Sequence, residues 1–108
     1  MVSNAPWGTP SVLWHEEVAR LGLVPYLDAV VICTDVGWRK PAPQIFQYAL
    51  AQLGAEPSEC LFVGDDTRWD IVGARAVGME AILIERHAPI LHPEEQPIRN
   101  LYELLERL

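Results

Sequence analysis

The sequence predicts an α/β fold, a doubly wound parallel sheet, and three observations carry that reading. Short apolar runs without alternation, Ala29-Val30-Val31-Ile32-Cys33, Cys60-Leu61-Phe62-Val63 and Ala81-Ile82-Leu83-Ile84, have the pattern of strands buried on both faces of a parallel sheet. Stretches of helical periodicity separate them. Gly22, Gly54 and Gly78 stand where those helices should stop. Helix and strand then alternate along the chain, which implies right-handed crossovers.

The elements follow in order. Thr9-Pro10 reads as an N-cap with Pro in the first turn, and Leu13, Trp14, Val18 and Leu21 then recur at helical spacing. The first strand run is too short for a helix. Pro43 opens a second helix whose apolar face is Ile45, Phe46, Ala49, Leu50 and Leu53. After the second strand the chain turns at Gly64 through a polar stretch into a helix carrying Ile71, Val72, Ala74 and Val77. Glu85 to Pro97 holds three prolines and little periodicity, so a loop is expected there. Ile98, Leu101, Leu104, Leu105 and Leu108 predict a terminal amphipathic helix that covers the sheet.

Composition narrows the function classes. The 108 residues are 50% hydrophobic and 21% charged, enough apolar material for a core and too little charge for disorder. A strand-helix-strand unit takes roughly 30 residues or more, so only about three or four strands fit. With a formal charge of -7, attraction to a phosphate backbone works against the protein, and no nucleic-acid partner is expected. No apolar run approaches the roughly 20 residues of a membrane span and no basic segment precedes an apolar one at the start, so the expectation is a cytoplasmic chain with no membrane partner. Cys33 and Cys60 fall in strand runs without metal spacing and read as buried reduced thiols. His15, His87 and His92 are scattered and read as surface or loop residues, as does Asp35.

Ligands of open parallel sheets bind beyond the carboxyl ends of the strands. Polar groups cluster there in this sequence. Met1-Val2 runs into Ser3-Asn4 as the end of a strand and its loop. The run Gly37-Trp38-Arg39-Lys40-Pro41 follows the first full strand, and Gly64-Asp65-Asp66 with Asp70 follows the second. A hydroxyl, a lysine and a carboxylate group are what phosphoryl transfer needs: donors for phosphoryl oxygens, a cation against transition-state charge, and carboxylates for Mg²⁺. Trp7, Trp38 and Trp69 lie within a few positions of these residues and suit either a substrate edge or ordinary packing.

At these residues the chain resembles the haloacid dehalogenase (HAD) superfamily of hydrolases. Val2-Ser3-Asn4 resembles the family's second motif, Gly37 to Pro41 its lysine motif, and Val63-Gly64-Asp65-Asp66 with Asp70, Gly73-Ala74 and Gly78-Met79 its acidic motif. The resemblance implies a Rossmann-like core and Mg²⁺-dependent hydrolysis of small phosphate monoesters through an aspartyl-phosphate. It implies phosphate binding by Ser3, Asn4 and Lys40, catalytic roles for Lys40 and Asp70, and magnesium ligation by Asp65 and Asp66. Asp66 or Asp70 would act through water or hold Lys40.

One departure qualifies the resemblance. Members begin with a strand ending in Asp-x-Asp, the source of the nucleophile, whereas no Asp occurs here before Asp28, and the cap domain is also absent. The expectation is a single partial core domain over residues 1–108, truncated at its N-terminus and catalytically incomplete alone. Self-association or a complementing N-terminal segment would answer that lack. A non-enzymatic remnant that binds phosphate or a partner is the alternative. Haloacid dehalogenation fits less well, because those enzymes use no metal and do not need Asp65-Asp66.

Overall fold

A computed structural model describes residues 1–108. The chain forms two compact units, Met1–Glu56 and Pro57–Leu108, and each carries one pair of parallel strands.

In the first unit β1 (Val2–Ser3) pairs with β2 (Val31–Ile32), Val2 opposite Val31 and Ser3 opposite Ile32. Helix α1 (Ser11–Arg20) lies between them in sequence and starts directly after Pro10, with no side chain capping it. The expected strand over Ala29 to Cys33 is shorter because the chain winds into helix α2 (Cys33–Val36) straight after Ile32. Two hydrogen bonds drive that turn. The Ile32 N–H donates to Asp35 Oδ2 at 3.3 Å, and the Gly37 N–H donates to the Cys33 carbonyl at 2.9 Å. Gly37 sits at φ 83°, where a side chain would be strained. Helix α3 (Pro43–Leu53) buries Ile45, Phe46, Ala49 and Leu50 as its periodicity predicts, while Leu53 in the last turn stays exposed.

In the second unit β3 (Leu61–Gly64) pairs with β4 (Glu80–Leu83), from Leu61 opposite Glu80 to Gly64 opposite Leu83. The second strand run is half-buried rather than buried, since β3 has β4 as its one hydrogen-bonded neighbour. A π-helical turn, Thr67–Val72, continues into helix α4 (Gly73–Ala76). Ile71, Ala74, Leu83, Ile84 and Ile98 form the apolar interior of this unit.

The expected terminal helix is corrected. Ile98 belongs to a parallel bridge with Ile84, its N–H donating to the Leu83 carbonyl at 2.9 Å and its carbonyl accepting from the Glu85 N–H at 2.9 Å. Only Leu101–Glu106 is helical, and it is a 3₁₀ helix capped by Asn100. Side chains in such a helix align every third residue, so a spacing suited to an α-helix no longer keeps the leucines on one face. Leu101, Leu105 and Leu108 are exposed accordingly.

Candidate functional site

The two strand pairs each end in one of the polar loops singled out above, and each loop has its own architecture.

In the first unit, β1 delivers Ser3 and Asn4. The Ser3 hydroxyl donates to the Asn4 carbonyl at 3.2 Å. The Asn4 carboxamide binds the backbone of Lys40 at both of its ends: the Lys40 N–H donates to Oδ1 at 2.8 Å, and Nδ2 donates to the Lys40 carbonyl at 3.2 Å. Ala5 is pinned next, its N–H donating to Cys33 Sγ at 3.1 Å and its carbonyl accepting from the same thiol at 3.3 Å. Cys33 is fully buried, as expected, and free of disulfide. Lys40 is the only lysine of the chain and is half-buried. Beside it Arg39 lies over the Trp7 ring, 5.7 Å from the centroid, a cation-π contact between the same two loops. Trp7 and Trp38 are both about half exposed, at 53% and 49%.

Behind this edge His15 of α1 and Asp35 of α2 form an ion pair at 2.7 Å. Burial is the largest single influence on Asp35 and raises its pKa. Hydrogen bonds from Ser11, His15 and the Ile32 N–H, with the His15 charge, outweigh it, and the carboxyl titrates below its usual range. The two residues are polar and partly exposed as the sequence suggested, but they lie in helices and bind each other.

In the second unit, the loop after β3 is organised around Asp70, which is 4% exposed. Its Oδ2 accepts the N–H of Asp65 at 3.1 Å and of Asp66 at 3.2 Å. Asp66 in turn caps the π-helical turn, its Oδ1 accepting from the Trp69 N–H at 2.7 Å, while its carbonyl accepts from the N–H of Asp70 and of Ile71. Gly64 is required for this arrangement. A Cβ at that position would overlap the Asp70 side chain.

The three carboxylates therefore divide the work. Asp70 turns one oxygen to two backbone amides, Asp66 has one oxygen occupied as a cap, and Asp65 is exposed at the strand end. No three His, Cys, Asp or Glu side chains gather into a metal-holding group. Mg²⁺ keeps several waters and takes one or two protein carboxylates, so an exposed Asp65 with the second oxygen of Asp66 fits it, whereas a cation needing a full protein cage would not fit. The residues of both loops are legible in the sequence. The Asn4 pairing, the Gly64 and Asp70 fit, and the His15 and Asp35 pair leave no spacing signal there.

Comparison with known proteins agrees with this architecture. A family model described as HAD-hydrolase-like matches residues 37–97, a span containing both the Lys40 loop and the acidic loop. The phosphoserine phosphatase of Thermus thermophilus is 34% identical over 92% of this chain and 39% of its own length. A HAD phosphatase from Thermococcus onnurineus superposes with a TM-score of 0.81 at 38% identity, over 87% of this chain and 44% of that one. The putative HAD-hydrolase YfnB of Bacillus subtilis, whose structure was determined with magnesium bound, superposes with a TM-score of 0.82 at 25% identity over 99% of this chain and 47% of its own. The chain thus spans less than half the length of each of these relatives. No helix is long and apolar enough to cross a membrane. With the family model covering more than half of its residues and parallel strands ending in the lysine and acidic loops, the chain belongs to the HAD-like hydrolases and has their Rossmann-like α/β fold.

Proposed function

We propose that the chain, read as one partial core domain over residues 1–108, supplies the phosphate-handling and metal-holding loops of a Mg²⁺-dependent hydrolase of small phosphate monoesters. The observation that carries this reading is the acidic loop: two successive Asp backbones held by the buried Asp70, with Asp65 left exposed at the end of a strand. The phosphatase relatives support the reaction class. Asp65 and Asp66 would hold the metal. When bound, Mg²⁺ would neutralise phosphoryl charge and orient the ester. In this proposal the Ser3 hydroxyl and the Asn4 backbone amide bind phosphoryl oxygens, and Lys40 sets a positive charge against the charge that grows in the transition state. Asp70 keeps the acidic loop in the geometry the metal needs. The nucleophilic carboxylate comes from an Asp-x-Asp segment other than residues 1–108, so the chain alone turns over little or nothing.

The test is hydrolysis of p-nitrophenyl phosphate in Mg²⁺. The 108-residue chain is expected to be nearly inactive and to gain turnover when joined to an upstream segment bearing Asp-x-Asp. Vigorous Mg²⁺-dependent turnover by the chain alone, abolished by Asp65→Asn, would overturn the need for that segment. Failure of both forms to hydrolyse the ester or to bind inorganic phosphate would overturn the hydrolase reading itself.

A further inference from the structure

We propose that Asn4 acts chiefly as a positioning residue, whose side-chain carboxamide fixes the backbone of Lys40 and thereby aims the chain's only lysine; the proposal rests on the phosphate-handling role given to Lys40 above. Three features of the first unit carry it. Lys40 lies in a segment between α2 and α3 that has no helix or strand ladder, so its backbone N–H and carbonyl need partners from elsewhere. Asn4 supplies both, through bonds of 2.8 and 3.2 Å that bridge 36 positions of sequence. Asn4 is itself immobilised from both sides. Ser3 before it is in the β1 and β2 ladder, and Ala5 after it is 4% exposed and held by two hydrogen bonds with the buried Cys33 thiol.

The chemistry is specific to the carboxamide. A donor and an acceptor must stand side by side on one short planar group to meet an N–H and a C=O of the same residue. Asp at this position would keep the bond to the Lys40 N–H but set a carboxylate oxygen against the Lys40 carbonyl. Gln carries the right group one methylene too far out. Ala leaves both backbone groups without a partner. Because the brace grips the main chain and not the ammonium group, it restricts where the side chain starts. The Arg39 guanidinium over Trp7 joins the same two loops a second time and narrows the remaining freedom.

The test is a double-mutant cycle on the 108-residue chain, made of Asn4→Ala, Lys40→Met and the pair. Inorganic phosphate affinity in Mg²⁺ is measured together with hydrogen exchange at the Lys40 amide. Asn4→Ala should speed exchange of that amide and weaken phosphate binding, each by about tenfold, the loss of one or two hydrogen bonds. In the Lys40→Met background it should change phosphate affinity less than about twofold, since the two residues act as one unit. Asn4→Asp should fall between Ala and the parent in amide exchange, and guards against an Ala variant that folds poorly. A merely structural role would weaken phosphate binding equally in both backgrounds, and that result would overturn the proposal. So would unchanged exchange at Lys40. If the parent chain binds no phosphate, the functional reading fails by itself, and the exchange rates alone decide whether Asn4 braces Lys40.

Discussion

The loops that end the two strand pairs reach order by opposite routes. The acidic loop is organised locally: Asp70 accepts from amides four and five residues before it, and Asp66 caps a turn three residues ahead. The lysine loop is organised at long range, by a carboxamide 36 residues away in sequence and by the Arg39 and Trp7 contact between the same two segments. A local clamp closes with little chain entropy and survives fluctuations elsewhere in its unit. A long-range clamp depends on every element that brings its halves together. The acidic loop should therefore be the stiffer of the two and the more costly to break.

The largest effect that tests this contrast is Asp70→Ala. It removes a carboxylate that is 4% exposed and leaves two part-buried amides without their acceptor, which should lower stability by about 3 kcal/mol, read as a drop in the urea midpoint. The matching change in the other loop, Asn4→Ala, removes a half-buried anchor in place of a buried one and should cost about 1 kcal/mol. Equal costs would break the contrast. Gly64→Ala sharpens it further. Its Cβ would run into Asp70, and the forced shift should cost about 1–3 kcal/mol as other overpacked sites do; a neutral outcome would mean that the loop yields where the geometry says it is tight.

Smaller effects come from the ion pairs around the loops. Asp35 titrates below the usual carboxylate range, so its contribution to stability is fully present above that range and is lost as pH falls through its lowered pKa. His15→Gln should flatten the acid limb of stability against pH by about 0.5 kcal/mol or less, because the pair is partly exposed and screened. A chain whose acid limb is unchanged in this variant would show that Asp35 is held by Ser11 and the Ile32 amide without the imidazole. Arg75 and Glu95 make a two-point ion pair of 3.1 and 2.8 Å at the surface of the second unit. Arg75→Gln should leave the urea midpoint within error, the smallest change of the set.

The same contrast explains what could be read from the residues alone. The strand runs, the helix stops and the acidic loop were legible because their logic is local: apolar runs, glycines and Asp residues within a few positions of one another. The α/β class and the strand-end loops followed from that. The Asn4 brace was not legible, since nothing near Asn4 marks Lys40 as its partner. Nor was the close approach of Asp70 to Gly64, which depends on how the π-helical turn leaves the strand. Ile98 continues a helix-like spacing of apolar residues, yet its backbone pairs with Ile84 in a parallel bridge, a partner that nothing near Ile98 marks.

In the proposed reading Lys40 binds phosphoryl oxygens and Asp65 holds the metal. Titration of the chain with inorganic phosphate in Mg²⁺, followed by tryptophan fluorescence, tests it most directly. A saturable response is expected that weakens by about tenfold or more in both Lys40→Met and Asp65→Asn, as the loss of a charged contact requires. A parent chain that shows no saturable response, or that binds as tightly when either residue is changed, would contradict it.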